Sequence, residues 1–366
     1  MRYIVSGGGT GGHIYPALSI IKEIINRDKK AQILYIGTSH GLESKLVPRE
    51  GIEFKAIRVK AMPRKINRDL FVSLKELLMG LKEARKIIKD FKPDIVIGTG
   101  GFVCGPVVYQ AKRLKIPTLI HEQNAFPGIT NKILARFVDK IAVTFSESIK
   151  YFKNPGKIVI TGNPIRKEIL QIDKNNAYKK LNVSKDLPLI LSFGGSGGQK
   201  KLNESILELI KDGLIGKDFQ ILHITGERFY EGFIEEVKDI DLNKNIRILP
   251  YLYDMPEALN IASLVITSSG AITLAEISAL GIASILIPKP YTAENHQEYN
   301  ARVFEENKAS KLILEKDLNG SILIEAINNI INDKFKLSQM EENSLKLGKL
   351  DAAEQIYSII QGIRLK

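Results

Sequence analysis

The chain has 366 residues and a mass of 40.8 kDa, more than the roughly 250–300 residues at which single hydrophobic cores stop growing, so we expect two domains. A content of 44% hydrophobic and 26% charged residues indicates a globular protein and excludes a disordered one. The single cysteine, Cys104, excludes an internal disulfide and is typical of a reducing compartment. No apolar run approaches the ~20 residues of a membrane-spanning helix, and no signal peptide is recognisable, so we expect a cytoplasmic protein.

The net charge of +12 is concentrated in the first part of the chain. Residues 1–162 contain 28 basic and 13 acidic side chains, whereas the remainder contains 25 and 28. This asymmetry indicates an anionic partner for the first half: nucleic acid, an acidic membrane surface or a phosphorylated substrate. A lysine-rich surface without a function remains the alternative.

Short runs rich in isoleucine and valine alternate with helical patterns throughout the chain. Continuous apolar strands that alternate with helices are typical of parallel sheets covered on both faces. The pattern predicts an α/β protein with two doubly wound, Rossmann-like domains. The predicted strands lie at residues 3–6, 32–36, 54–59, 94–98, 118–121, 140–144 and 157–161, and then at 188–193, 220–225, 246–249, 264–267, 283–287 and 311–314.

Gly162, Asn163 and Pro164 interrupt this pattern and predict a linker. We therefore expect a first domain over residues 1–162 and a second over 163–345. The amphipathic segment 346–366 is predicted to be a helix that packs back onto the first domain.

The first predicted strand of each domain runs into a glycine loop and then a helix. The loops are Gly7-Gly8-Gly9-Thr10-Gly11-Gly12-His13 and Gly194-Gly195-Ser196-Gly197-Gly198-Gln199. Glycines at such a turn let the backbone approach a ligand, and the helix N-terminus attracts an anion, so paired loops suit a diphosphate. The first loop also fits the dinucleotide-binding pattern, but no acidic residue ends the second strand at Tyr35-Ile36-Gly37-Thr38. Neither loop supplies the Gly-Lys-Ser/Thr of a Walker A motif.

A third loop, from Ser269 to Glu276, follows a strand and opens a helix. Its backbone N–H groups are candidates for phosphate binding, and Glu276 is a candidate acceptor for both hydroxyls of a ribose. Glu276 as a capping carboxylate of the helix remains the alternative.

The ordered motifs resemble those of the MurG family of N-acetylglucosaminyltransferases in peptidoglycan synthesis. The motifs that carry the resemblance are Gly8-Gly9-Thr10-Gly11-Gly12-His13, residues 98–106 (GTGGFVCGP), His121-Glu122-Gln123-Asn124, Gly162-Asn163-Pro164-Ile165-Arg166, residues 194–198, residues 269–276 and His296-Gln297-Glu298-Tyr299-Asn300-Ala301. The resemblance implies a GT-B fold with a deep interdomain cleft, an acceptor domain facing the membrane and a donor domain. It implies inverting transfer of N-acetylglucosamine from UDP-N-acetylglucosamine to the muramoyl 4-hydroxyl of lipid I, undecaprenyl-diphospho-N-acetylmuramoyl-pentapeptide. It also implies a peripheral position on the cytoplasmic face of the membrane and partners among other cell-wall synthesis proteins.

The resemblance further implies which residues bind the donor. Leu252 is expected at the uracil, Ser196 and Arg166 at the uridine diphosphate, and Glu276 at the ribose. Asn124 and Gln297 are expected around the transferred sugar together with Thr10, Gly11 and Gly12. The residues expected at the phosphates and nearby groups are Ala271, Ile272, Thr273, Leu274 and Ala275.

His13 and Glu122 are the two candidates for the general base. His13 opens a helix, where the positive end of the dipole favours a neutral ring that can accept a proton. A structural role for His13 in shaping the glycine loop is the alternative, as is a role for Glu122 in bracing the loop after its strand. The sequence does not decide between them.

The five histidines show no metal-binding spacing, so we expect no metal and no cofactor, with helix dipoles and Arg166 stabilising the leaving diphosphate. Residues 58–69, with Arg58, Lys60, Arg64, Lys65 and Arg68, form a basic loop expected at an anionic membrane or the acceptor diphosphate, extended by Lys132, Arg136 and Lys140. The apolar stripe that follows, Phe71, Leu74, Leu77, Leu78 and Leu81, is expected to face the core rather than the membrane. Nucleic-acid binding is disfavoured because the basic region lacks interleaved aromatic residues.

Three alternative functions remain at this stage. They are a GT-B transferase acting on a diacylglycerol or dolichol-type lipid, an isomerase similar to UDP-N-acetylglucosamine 2-epimerase, and a nucleotide-sugar binding module without catalysis.

Overall fold

The structure, a computed structural model, describes residues 1–61, 63, 68–215 and 218–364. Within these residues the chain divides into two units, Met1–Ile165 with Lys349–Lys366, and Arg166–Gly348. The first unit thus continues three residues beyond the expected linker boundary at 162. Arg64 and Lys65 of the basic loop lie outside the described residues.

The first unit is built on a seven-stranded parallel sheet with the order β3-β2-β1-β4-β5-β6-β7. Its central strands are buried on both faces, which is why they read as continuous runs such as Tyr3-Ile4-Val5. The strands are β1 (Arg2–Gly7), β2 (Gln32–Gly37), β3 (Glu53–Ala56), β4 (Ile95–Gly100), β5 (Thr118–Glu122), β6 (Lys140–Val143) and β7 (Ile158–Ile160).

Helices cover both faces of this sheet. Ile356 and Ile360 of the last helix, α14, are fully buried in one core cluster with Ile14 and Ile21 of α1. The final segment therefore packs on the first unit. The helices are α1 (Gly11–Arg27), α2 (Glu43–Arg49), α3 (Arg68–Phe91), α4 (Cys104–Arg113), α5 (Ile129–Leu134) and α14 (Ala352–Arg364).

The second unit is built on a six-stranded parallel sheet with the order β10-β9-β8-β11-β12-β13. Its core is rich in isoleucine and leucine, including Ile190, Ile206 and Ile266. The strands are β8 (Leu189–Phe193), β9 (Gln220–Ile224), β10 (Ile246–Leu249), β11 (Leu264–Thr267), β12 (Ala283–Leu286) and β13 (Ser310–Leu312). The helices are α6 (Lys174–Lys180), α7 (Lys200–Lys211), α8 (Glu227–Val237), α9 (Met255–Ile261), α10 (Ala271–Leu280), α11 (His296–Glu306), α12 (Gly320–Ile331) and α13 (Lys334–Leu347).

Each sheet has one point at which the strand order reverses. In the first unit it lies between β1 and β4, and in the second between β8 and β11. In open α/β sheets, ligands bind beyond the carboxyl ends of the strands at such a point, because the connections diverge there and leave a crevice. Both glycine loops and the loop before α10 follow three of these four strands, β1, β8 and β11, so the topology places all three loops at ligand-binding positions of their own units.

Candidate functional site

The first glycine loop is packed directly against the turn after β4. A Cβ atom at Gly101 would lie 2.2 Å from the carbonyl oxygen of Gly8, and Gly101 has a φ of +80°. Only glycine fits such a contact in that conformation. The loop ends at Thr10, whose backbone is extended, and α1 begins with Gly11 and Gly12. The first-turn N–H groups of a helix have no partner within the helix, so this turn is suited to anionic or hydroxyl ligands.

His13 is the third residue of α1, and its ring is tied back to the glycine loop. Its Nδ1 lies 3.0 Å from the carbonyl oxygen of Gly8 and 3.5 Å from Thr10 Oγ1. Since a carbonyl oxygen can only accept, Nδ1 carries the proton and donates it to Gly8. The basic lone pair of the neutral ring then belongs to Nε2. Thr99 Oγ1 also donates to the His13 carbonyl at 2.8 Å, which fixes the start of the helix.

Glu122 ends β5 and accepts hydrogen bonds at both carboxylate oxygens. Oε1 accepts from the backbone N–H and Nδ2 of Asn124 at 3.0 and 3.2 Å, and Oε2 from the Gly128 N–H and Asn131 Nδ2 at 3.1 and 2.8 Å. Burial raises the pKa of Glu122, and these hydrogen bonds oppose the rise. The contacts order residues 122–131 around the carboxylate, as expected of a bracing residue.

Glu122 and Asn131 form a hydrogen-bonded cluster next to Gly100, and the His13 ring also lies next to Gly100. A Cβ atom at Gly100 would lie 3.1 Å from His13 Nε2 and 3.6 Å from Asn131 Nδ2. Asn131 is buried and donates to Glu122. Its amide therefore lies between the end of β5 and Gly100, the residue that the His13 ring also adjoins. Asn131 was not predictable as a site residue, because an asparagine in a helix after the His121-Glu122-Gln123-Asn124 motif has no distinguishing sequence pattern.

His121, in the same motif, is fully buried beside this cluster. Its Nε2 donates to the Gly162 carbonyl at 3.0 Å and its Nδ1 accepts from Gln123 Nε2 at 2.9 Å. Burial lowers the pKa of His121 to about 4. The neutral His121 ring therefore joins β5 to the chain at Gly162, just before the first unit passes into the second.

We expect His121 to make stability fall as the pH falls from about 6.5 towards 4, because in this range the unfolded chain binds a proton that the folded chain rejects. Over this range the free energy of unfolding should fall by ~3 kcal/mol because of His121. Within the range, the slope of the unfolding free energy against pH corresponds to about one proton. Glu122 has the opposite sign, since its raised pKa favours the folded state at lower pH. Urea unfolding between pH 4.5 and 7.5 should give a shallower slope for His121→Gln than for wild type. The exposed His40→Gln serves as the control, and equal slopes for His121→Gln and wild type would refute the assignment.

In the second unit, the glycine loop after β8 is packed against the end of β9. A Cβ atom at Gly198 would lie 2.1 Å from the Thr225 carbonyl oxygen, and Gly198 has a φ of +68°. Ser196 is exposed at the tip of this loop. The loop therefore presents a hydroxyl and backbone groups at the switch point of the second sheet.

Arg166 and Glu276 form an ion pair within this unit. Arg166 Nη2 donates to Glu276 Oε1 at 3.1 Å, and the Glu276 side chain is 7% exposed against 43% for Arg166. Burial raises the pKa of Glu276, and the Arg166 guanidinium opposes the rise. The sequence predicted both residues as donor ligands but did not predict that they pair.

Glu276 lies on α10, whose N-terminus is flanked by buried hydroxyl groups. Among the described side chains, Thr267 Oγ1 and Ser269 Oγ are buried without a protein hydrogen-bond partner. Gly270 is the N-cap and does not cap the helix through a side chain, so the backbone of the first turn, over the predicted residues 271–275, is oriented as at other anion-binding helix starts. These groups are suited to the oxygens of a phosphorylated ligand.

Gln297 and Leu252 lie in the same unit. Gln297 is 9% exposed, and its Oε1 accepts from the Lys289 N–H at 2.9 Å, which directs the amide. Lys289, which the sequence did not predict, donates from Nζ to the Gly198 carbonyl at 2.8 Å. Leu252 is 8% exposed, in the turn between β10 and α9. Asn124 and residues Thr10, Gly11 and Gly12 belong to the first unit.

Comparison with known proteins gives matches over both units. Residues 3–143 match the glycosyltransferase family 28 N-terminal domain and residues 189–356 the glycosyltransferase family 28 C-terminal domain. A UDP-N-acetylglucosamine--N-acetylmuramyl-(pentapeptide) pyrophosphoryl-undecaprenol N-acetylglucosamine transferase from Acetivibrio thermocellus is 52% identical, over 99% of this chain and 98% of its own length. A protein of the same name from Finegoldia magna is also 52% identical, over 99% of each chain.

Solved structures agree with these matches. The crystal structure of MurG from Acinetobacter baumannii has a TM-score of 0.79 at 27% identity and covers 99% of each chain. A UDP-GlcNAc 2-epimerase from Neisseria meningitidis has a TM-score of 0.70 at 14% identity, over 99% of this chain and all of that one, and so shares the fold alone.

The two parallel α/β units and the family 28 matches define a glycosyltransferase of the GT-B class, as the sequence predicted. Full-length identity of about half the residues narrows the assignment further. The chain belongs to the MurG family.

Proposed function

We propose that this chain transfers N-acetylglucosamine from UDP-N-acetylglucosamine to lipid I in peptidoglycan synthesis. The observation that carries the proposal is 52% identity, over 99% of the chain, to transferases named for this reaction. The glycine loops at both switch points support it, because such loops and the helix starts that follow them are suited to a phosphorylated sugar donor.

The second unit is the donor-binding unit in this proposal. Glu276 accepts the ribose hydroxyls, Arg166 and the first turn of α10 bind the diphosphate, and Ser196 supports it from the glycine loop. Arg166 suits this role because its guanidinium has five donors, of which the pair with Glu276 uses one in the contact described above. Leu252 contacts the uracil and Gln297 the sugar.

The first unit supplies the base. His13 Nε2 takes the proton from the muramoyl 4-hydroxyl as its oxygen attacks the anomeric carbon of the donor sugar. The bond from that carbon to the diphosphate oxygen breaks, its electron pair leaves with UDP, and the configuration inverts. Glu122 keeps the bracing role, because both of its oxygens already accept hydrogen bonds from its own loop. Asn124 and the Thr10-Gly11-Gly12 turn contact the transferred sugar.

The test is to supply UDP-N-acetylglucosamine with a short-chain lipid I analogue, a diacylglycerol or a dolichol-type lipid. We expect a disaccharide product with the lipid I analogue alone, identified by mass. Product with either of the other lipids, or conversion of the donor to its epimer, would assign a different activity.

We further propose that the first unit docks on an anionic membrane through the outer faces of α3 and α5. Phe71, Leu74 and Leu78 of α3 are 72%, 42% and 62% exposed, so the expectation that this stripe faces the core is wrong for these three residues, whereas Leu77 packs against the core. Ile129 and Ile133 of α5 are 57% and 53% exposed. Both helices pack on α4, so the two apolar ridges belong to one helical layer. Exposed apolar patches of this kind mark interaction surfaces.

Basic side chains lie along the same layer. Lys132 and Arg136 interleave with the α5 ridge, and Lys132 Nζ lies 4.3 Å from the centre of the Phe126 ring. Lys60 is exposed, whereas Arg58 is held by Glu83 at 2.6 Å. Apolar groups flanked by lysine and arginine bind anionic bilayers, with each basic group near the surface adding ~1 kcal/mol. In the described residues, no helix is long and apolar enough to cross a membrane.

We expect Phe71→Asp combined with Ile133→Asp to weaken binding to vesicles that contain anionic lipid by at least about tenfold, because each change removes apolar burial and adds repulsion. Sedimentation with vesicles measures the effect. Phe335→Asp is the matched control, since Phe335 is 77% exposed on α13 of the other unit. Equal loss of binding in the control and the double variant would contradict this surface.

A further inference from the structure

Glu43 is a fully buried carboxylate that lies beneath the first glycine loop. It is the first residue of α2, and its exposed fraction is 0%. Oε2 accepts from the Gly9 N–H at 3.2 Å, and Oε1 accepts from the N–H and Oγ1 of Thr38 at 3.0 and 2.7 Å. Both carboxylate oxygens thus accept hydrogen bonds from the chain.

The loop is shaped around this carboxylate. A Cβ atom at Gly8 would lie 2.6 Å from Glu43 Oε1, and one at Gly41 would lie 2.3 Å from both oxygens. Glycines at these positions therefore leave the room that the carboxylate occupies. Neither Gly8 nor Gly41 has a positive φ. Glycine is therefore needed at these positions because of the limited space and not because of the backbone conformation.

The loop in turn orients His13. Glu43 holds the N–H of Gly9, and the carbonyl of the preceding residue, Gly8, accepts the proton of His13 Nδ1 at 3.0 Å. The peptide group between Gly8 and Gly9 is planar, so a hydrogen bond to its N–H fixes the direction of its carbonyl. One carboxylate therefore sets the acceptor that decides which ring nitrogen of His13 carries the proton.

We propose that Glu43 is a positioning residue for sugar transfer: by holding the Gly8–Gly9 peptide, it keeps His13 in the tautomer with the basic lone pair on Nε2. This inference rests on the proposed role of His13 as base. Glu43 itself is buried beneath the loop and acts only through the peptide. Nothing in the sequence marks it, since it lies 34 residues from Gly9 and resembles an ordinary acidic helix start.

Glu43→Gln tests the proposal with a minimal change in shape. The amide oxygen can replace one carboxylate oxygen, but the NH₂ group then faces a donor, either Gly9 N–H or Thr38. We expect kcat to fall about 10- to 100-fold, because a buried N–H donor that faces an NH₂ group no longer holds the peptide in place, with KM for UDP-N-acetylglucosamine within threefold of wild type. Glu23→Gln is the matched control, because Glu23 is also a buried carboxylate of this unit, 4% exposed, and contacts Arg27 on the far end of α1.

A second readout does not depend on turnover. In protein labelled with ¹⁵N-histidine, ring nitrogen shifts report the tautomer, and His13→Gln assigns the His13 signals. We expect the Nδ1–H form in wild type and in Glu23→Gln, and a shift towards the Nε2–H form in Glu43→Gln. An unchanged tautomer in a folded Glu43→Gln protein would overturn the proposal. Full activity of His13→Ala would instead overturn the role of His13 as base. In that case the His13 ring signals of wild type and Glu43→Gln would still show whether Glu43 sets the tautomer.

Gly8→Ala provides an independent variant if Glu43→Gln does not fold. Its methyl group would displace the carboxylate without changing its charge, so we expect the same tautomer shift and fall in kcat. Gly362→Ala on α14, with nothing within 4 Å of the added methyl, is the control. Wild-type kcat and tautomer in Gly8→Ala would contradict the proposal.

Discussion

Replacing His13 by alanine is expected to lower kcat for sugar transfer by about 10²- to 10⁴-fold, the contribution typical of a positioned general base. Affinity for UDP-N-acetylglucosamine should stay within a few-fold, because the proposed donor ligands Arg166 and Glu276 lie in the other unit. Steady-state kinetics give the first quantity and calorimetric titration of the donor gives the second.

His40→Ala is the matched control, since His40 is an exposed histidine of the same unit. It should retain wild-type kinetics. A loss of less than about tenfold in His13→Ala would remove His13 from the base role and favour Glu122. Glu122→Gln is expected to lose stability along with activity, because an NH₂ group would then face N–H donors of residues 124–131.

Replacing Glu276 by alanine is expected to weaken binding of UDP-N-acetylglucosamine by about 10- to 100-fold, because hydrogen bonds to a charged group contribute ~1.5–3 kcal/mol. At saturating donor, kcat should change little, since the ribose lies far from the reacting carbon and its contacts are the same in the ground and transition states. Glu276→Ala should therefore weaken donor binding with little change in kcat, whereas His13→Ala should lower kcat with little change in donor affinity.

A donor analogue sharpens this test. Wild type should prefer UDP-N-acetylglucosamine over its 2′-deoxyribose form, and Glu276→Ala should lose the preference. Glu341→Ala on α13 is the control, because burial also raises the pKa of this carboxyl in the same unit. If Glu276→Ala retains the preference for the ribose hydroxyl, Glu276 does not bind the ribose.

The strand pattern was predictable because parallel strands buried on both faces produce apolar runs of strand length. All thirteen predicted runs overlap strands among the described residues. The run 54–59 extends beyond β3, which ends at Ala56, and residues 57–59 continue alongside α3. Ile57 and Val59 are buried, and Arg58 between them pairs with Glu83 of that helix.

The buried face of α3 was not predictable from its apolar stripe. Periodicity identifies a face but does not say what covers it. In the structure the buried face carries Leu77 and Ile88 together with three small residues, Ser73, Gly80 and Ala84. A Cβ at Gly80 would lie 2.2 Å from the Arg58 carbonyl oxygen. Close approach of the chain selects these small residues and leaves Phe71 and Leu78 outside.

The glycine loops and motifs of the candidate site were predictable from the sequence. The hydrogen bonds that hold the loops in place were not. Glycine loops have a local signature, so the positions of His13 at a helix start and of Ser196 in a glycine loop followed from the sequence. The contacts of Glu43 with Gly9 and of Lys289 with Gly198 join residues 34 and 91 positions apart. Only the tertiary structure brings such pairs together.

In an assay with chelator present and a control without acceptor, labelled sugar should pass from UDP-N-acetylglucosamine to a short-chain lipid I analogue. We expect a glycolipid product that requires the acceptor, persists with chelator and has the inverted anomeric configuration, as the proposed transferase activity requires. Donor binding without product, or release of a free epimer with no acceptor present, would contradict it.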